Sequence, residues 1–311
     1  MDVNEWQSRL ENTFPIRPSP RLEAIIRREE EYALYVNSTY HGYRVFAESF
    51  FDFYLETLQK VGQYMQEHGI PREFPMYQSI ALLYAINYRS LRAAENLLLC
   101  GYPLGGYSLF RDIKDRAIFL AAIVNGYTSL WSLFGFLDIA AAADRSPLSL
   151  EEYRRIRNRR KKEERKVFEL MTGEKSGLAE PDVNELKSWE ELFHEEVHSS
   201  RLTFFGEGGR WLMGKGPFPI GPVPDDSSIA MYMNRSYEIR WMLLRMLPYL
   251  QVAEDEFGGE WTKKWQILDE SFRFVHSNSK EPGKALADAI VALIEHKFSF
   301  SPSLKYTECD G

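Results

Sequence analysis

A chain of 311 residues with 44% apolar and 14% aromatic side chains can bury a large core, which excludes an extended disordered protein. Its 38 Lys and Arg against 45 Asp and Glu leave a net charge of −7, without the overall basicity of a nucleic-acid binder, so nucleic acid is not an expected partner. The only two cysteines, Cys100 and Cys309, exclude a disulfide framework and a cysteine-based zinc site.

Met1 to Pro20 carries no basic-then-apolar signal pattern, and a cytoplasmic location is expected. Ser19-Pro20 opens the first helix, with Ser as cap and Pro in the first turn, and Leu22, Ile25, Ile26, Ala33 and Leu34 carry it towards Asn37. A longer helix is predicted over about 40–68. There Phe46, Phe50, Phe53, Tyr54, Leu58, Val61 and Met65 recur at three- and four-residue steps, until Gly69 and Pro71 stop the pattern. A third helix runs over about 76–100 and ends at Gly101-Tyr102-Pro103. Gly105-Gly106 reads as a turn before a fourth helical stretch that reaches about Ala143. Charges flank its apolar part closely and polar residues interrupt it, so it reads as a buried central helix rather than a membrane span.

Ser149 with Glu152 three residues on forms a capping box for a helix to about Met171. Thr172 to Pro181 reads as a linker, and 183–202 as a short helix. Gly206 to Ser227 is too rich in Gly and Pro for any regular element. Asp226 or Ser227 can cap a helix over about 229–253, which Pro248 should kink or shorten. Gly258-Gly259 precedes a helix over about 261–276, and Pro282 opens a last one ending near Phe298. The expected fold is all-α: an irregular bundle of roughly nine helices in one domain, 1–311, which the linker 173–181 could divide into 1–172 and 182–311.

Two features carry chemistry. The first is His194-Glu195-Glu196-Val197-His198. Histidines four apart share a helix face and could hold a zinc ion, with Glu195 as general base on a metal-bound water, as in a zinc-dependent hydrolase. Arg201 and Phe204 stand where the metzincin pattern requires Gly and His, so a third ligand must come from elsewhere, and Glu238 on a later helix is the natural candidate. Two hydrogen-bonded histidines at a helix interface are the plainer reading of the same residues.

The second is ionisable side chains on helices apolar enough to be central. Arg92 and Glu95, three apart, can pair on one face, and so can Arg111 and Asp115, four apart. They form either a structural ion-pair network or, with His194, His198 and Arg201, a polar pocket that binds a small ligand, a metal ion or a partner.

The order Arg92-x-x-Glu95, Gly101, Arg111-x-x-x-Asp115 and His194-x-x-x-His198-Ser199 resembles bacterial all-helical families of unknown function. Those have an Arg-Ser-Leu-x-Glu type helix, a second Arg-x-x-x-Glu helix and a later helix bearing His. Arg89-Ser90-Leu91 fits that pattern, and Asp115 departs from it by standing where Glu is usual. The resemblance covers about residues 76–202 and implies an all-helical fold with a polar cluster, but no activity.

Residues 154–166 hold nine Arg and Lys against Glu163 and Glu164. This stretch is either a solvated charged face or a contact for RNA, an acidic partner or a phosphate ligand, and as a partner contact it would make the protein a partner-binding scaffold. No aromatic residues interleave, so stacking on single-stranded nucleic acid is not supported. The 206–227 loop is no P-loop, since no Gly-Lys-Ser/Thr occurs, and its place after the His helix suggests a lid.

Overall fold

The computed structural model describes residues 19–69, 77–124, 149–172, 226–251 and 257–278, with a few isolated positions besides. Seven α-helices and one short 3-10 helix lie among them, and no strand does. All-α therefore holds for the described residues. The expected helices over 183–202 and from Pro282, the stretch 125–143, and most of the 206–227 loop lie outside them.

Helix α1 (Pro20–Thr39) starts as its sequence demands: the Ser19 hydroxyl accepts from the Leu22 amide at 3.3 Å, and Pro20 takes the first helical position. Only Tyr32 and Val36 of α1 are buried, so it lies at the periphery. Helix α2 (His41–His68) is the core rod, burying Tyr43, Ala47, Phe50, Phe51, Phe53, Tyr54, Thr57 and Val61 along one face. Gly69 ends it with φ +75° and returns its amide to the Met65 carbonyl at 3.0 Å.

Helix α3 (Tyr77–Leu99) and α4 (Pro103–Val124) form the most extensive packing pair. Gly101, at φ +85°, and Tyr102 send their amides back to Leu98 and Leu97 and turn the chain between them. The Gly105-Gly106 turn expected from the sequence is not formed; both residues lie inside α4, which Pro103 opens. The reason is packing. A Cβ on Gly106 would come within 2.6 Å of the Tyr232 ring, so glycine there permits a close approach of helices rather than a turn.

Helix α5 (Leu150–Thr172) packs against α4 and keeps its expected capping box. The Ser149 hydroxyl accepts from the Glu152 amide at 3.2 Å, while the Glu152 carboxylate accepts from the Ser149 amide at 2.9 Å. Helix α6 (Asp226–Met246) lies against α4 and α2, so a segment distant in sequence completes their core. It is shortened by Pro248 and tightens into the 3-10 turn Leu247–Leu250. Tyr84 and Tyr77, seven apart on α3, donate to the carbonyls of Met246 at 2.8 Å and Leu250 at 2.6 Å, which the end of a helix leaves without intrahelical partners. Asp226, expected as a cap, instead opens α6 and accepts from the hydroxyls of Tyr35 at 2.5 Å and Tyr40 at 2.9 Å.

Helix α7 (Gly258–Asn278) begins at the glycine pair that reads as a separator. Three indoles fix this side of the bundle. Trp261 donates to Thr57 at 2.8 Å, Trp265 to the Leu244 carbonyl at 2.9 Å, and Trp241 to Asp269 at 3.0 Å.

Candidate functional site

Glu95 is completely buried among α2, α3 and α6. A carboxylate there must be fully hydrogen-bonded to stay charged. One oxygen accepts from Arg44. The other accepts from Arg240 at 2.6 Å, Tyr43 at 3.0 Å and Tyr232 at 3.3 Å. Arg240 is equally buried; it also donates to the Tyr43 hydroxyl at 2.8 Å and to Ser236. Its guanidinium lies 5.2 Å from the ring centroids of both Tyr43 and Phe51, a cation–π arrangement that suits an Arg held out of water. Burial pushes the Tyr43 and Tyr232 hydroxyls well above the ordinary tyrosine value, which keeps both as neutral donors.

The Arg92–Glu95 pair expected from helix spacing is not formed. Arg92 instead meets Glu48 at 3.4 Å and covers the Phe51 ring at 4.6 Å. Glu48 in turn accepts from Arg44 at 2.7 Å. The result is a ladder of alternating sign, Arg240–Glu95–Arg44–Glu48–Arg92, that runs from the core to the surface. Arg92 and Glu95 both belong to it but reach each other only through α2. Intrahelical spacing allowed a contact that two arginines from other helices supply better, since both can meet Glu95 without bending α3. The Glu95 carboxylate takes four donors from the chain itself, two of them guanidinium groups, so no ligand is needed to neutralise it, while the Nε of Arg240 is buried without a hydrogen-bond partner among the described residues.

Arg111 and Asp115 do approach each other, at 4.0 Å, with Lys114 3.6 Å from the same carboxylate. Neither is a partner of Glu95. Arg116 on the same helix donates to Asn87 at 2.7 Å and Ser90 at 2.8 Å, tying α4 to α3. Glu238 lies beside Arg235 at 3.5 Å on α6. His194, Glu195, His198 and Arg201 lie outside the described residues, and the described residues alone hold no cluster of three or more metal-ligating side chains.

The inner residues that sequence spacing missed are Arg44, Tyr43, Tyr232, Ser236 and Arg240. Arg240 did leave a signal, standing between Ile239 and Trp241 in a run that is otherwise nearly apolar. Arg44, Tyr43 and Tyr232 have no local signature for Glu95, because each lies 51 to 137 residues from it.

A second candidate lies on α5. At 100° per residue, Arg154, Arg157, Lys161 and Arg165 fall within about 80° of arc. All four are exposed. Ile156 and Glu163 fall on the opposite side and are half-buried, and Arg160, at the edge between the two sides, is half-buried with its guanidinium 5.6 Å from the Phe119 ring of α4. The basic crest therefore lies away from the half-buried side of the helix. Arg155 pairs with Glu151 and Lys166 with Glu163. Among the described residues, Arg154, Arg157, Lys161, Lys162 and Arg165 make no ion pair.

No described helix is long and apolar enough to cross a membrane. No family model, curated protein or solved structure matches this chain.

Proposed function

We propose that this is a cytoplasmic partner-binding protein whose recognition element is the outward face of α5, held on a bundle stiffened by the Glu95 ladder. The observation that carries this reading is the crest of four exposed cations, Arg154, Arg157, Lys161 and Arg165, none of them paired among the described residues. Cations left unpaired along one face repel one another, and an anionic partner relieves that repulsion. The ladder, by contrast, supplies the Glu95 carboxylate from within the chain, which favours a structural role for Arg92 and Glu95 over a ligand pocket.

A protein of net charge −7 has no reason to bind a cation exchanger at neutral pH unless its positive charge is concentrated. The wild type should therefore be retained on a sulfonate resin at pH 7 and low salt. The triple variant Arg157→Glu, Lys161→Glu, Arg165→Glu should pass through while keeping its helical circular dichroism. Passage of the wild type, or equal retention of both, would overturn the reading.

A second reading keeps the zinc-dependent hydrolase, with His194 and His198 as ligands, Glu195 as base and Glu238 as third ligand. The spacing of those residues in the sequence is its support. Metal analysis of the purified protein tests it: stoichiometric zinc that is lost in His194→Ala would support it, and zinc-free wild type would remove it.

A further inference from the structure

The basic crest of α5 does not run to the start of the helix. Leu150 and Tyr153 occupy the first turn and are 66% and 57% exposed. By helical position Leu150 lies between Arg157 and Lys161, and Tyr153, four residues before Arg157, lies at the edge of the same face. The same outward face thus reads, from its N-terminal end, as two apolar side chains followed by four cations. We propose, on the basis of the α5 reading above, that the partner is a short acidic α-helical segment of another protein, with apolar side chains at the end that meets Leu150 and Tyr153.

Three observations favour this occupant over a nucleic-acid duplex. The cationic crest from Arg154 to Arg165 is only about 16 Å long at 1.5 Å per residue, which matches about three turns of a partner helix. A duplex carries its charge far beyond that length and would meet the rest of a molecule whose net charge is −7. Exposed Leu150 and Tyr153 gain from covering by apolar side chains, as at the anchor of a protein interface, and gain little from a phosphate backbone. Carboxylates at i, i+3, i+7 and i+11 of the partner would repeat the spacing of Arg154, Arg157, Lys161 and Arg165, and Arg accepts a carboxylate in two-pronged geometry.

The full chain is titrated, by fluorescence anisotropy, into three labelled probes. One is an 18-residue helical peptide with Glu at that spacing and two Leu at one end. Its twin has Ser in place of both Leu, and the third probe is a DNA duplex of about the same length. The Leu peptide should bind at least about tenfold more tightly than its twin and than the duplex, since burying one leucine is worth about that much. Leu150→Ser with Tyr153→Ser should erase the difference between the peptides and leave retention on the sulfonate resin unchanged. Tightest binding of the duplex, equal binding of the two peptides, or a difference that survives the double variant would each overturn the acidic-helix proposal while leaving the α5 reading intact. Loss of resin retention in the wild type would overturn both.

Discussion

Glu95 and Arg240 lie 145 positions apart in the chain and meet at 2.6 Å with neither side chain exposed to water. Such a pair holds α3 to α6 at one register, because any slip strands a charge in the core. Its net worth relative to an apolar pair is small, but breaking it is costly. Glu95→Gln keeps the shape and removes the charge that balances Arg240 and Arg44. It should lower unfolding free energy by about 3–5 kcal/mol, measured as a shift in the urea midpoint at constant m. Glu95→Leu combined with Arg240→Met should cost well under the sum of the two single changes. Simple additivity would show that the two groups do not act as a pair.

The close approach at Gly106 makes a second expectation. Alanine is ordinarily better than glycine inside a helix by about 1 kcal/mol. At position 106 the sign should invert, since the new methyl meets the Tyr232 ring at 2.6 Å and the Ala94 carbonyl at 3.4 Å. Tyr232 packs on Phe110 at 4.8 Å and donates to Glu95, so the ring has little room to yield. Gly106→Ala should cost about 1–3 kcal/mol. Gly62→Ala in α2, where nothing lies within 4 Å of the added carbon, should instead stabilise by about 0.5–1 kcal/mol. Thermal melts of the two variants should shift in opposite directions.

Alkaline pH should unfold this protein through its tyrosines. Burial raises Tyr43, Tyr54 and Tyr232 above the ordinary value of 10.0, and burial together with the Glu29 hydrogen bond pushes Tyr102 up to about 12. The folded state keeps these protons where the unfolded state gives them up. Their contribution to stability is therefore full below about pH 10 and is lost as pH rises from there through the folded values. Absorbance at 295 nm should show these phenols ionising together with loss of helical signal, in one step. Smooth ionisation of every tyrosine with the helices intact would contradict the burial.

Helix periodicity made most of the fold legible among the described residues. Aromatic spacing from Phe46 to Met65 marked α2, and Ser149 with Glu152 marked the start of α5, because both signals are local. Gly105-Gly106 misled, since a glycine that admits a neighbouring helix looks in sequence like one that turns the chain. The polar interior was legible by half. Glu95 and Arg240 each stood out as a charge on an apolar helix, but their pairing did not, because ion pairing between helices depends on packing and leaves no spacing to read. The basic run of α5 was plain, while the division of its cations into an outward crest and the half-buried Arg160 required the position of α4.

The presentation of that crest depends on how α5 begins. Ser149 accepts from the Glu152 amide, and Glu152 accepts from both the amide and the hydroxyl of Ser149, at 2.9 and 2.7 Å. The nearby Arg155–Glu151 pair is far too exposed to hold the turn, with side chains 72% and 86% accessible. Ser149→Ala should cost about 1 kcal/mol locally. It should speed amide exchange at residues 152–155 and leave 161–165 unchanged, because fraying is confined to the first turn. Ser149→Asp keeps an acceptor at the cap and adds negative charge at the positive end of the helix dipole, so protection should return. Unchanged exchange at 152–155 in Ser149→Ala would mean that packing against α4, and not the cap, holds Leu150, Tyr153 and Arg154 in line with the rest of the crest.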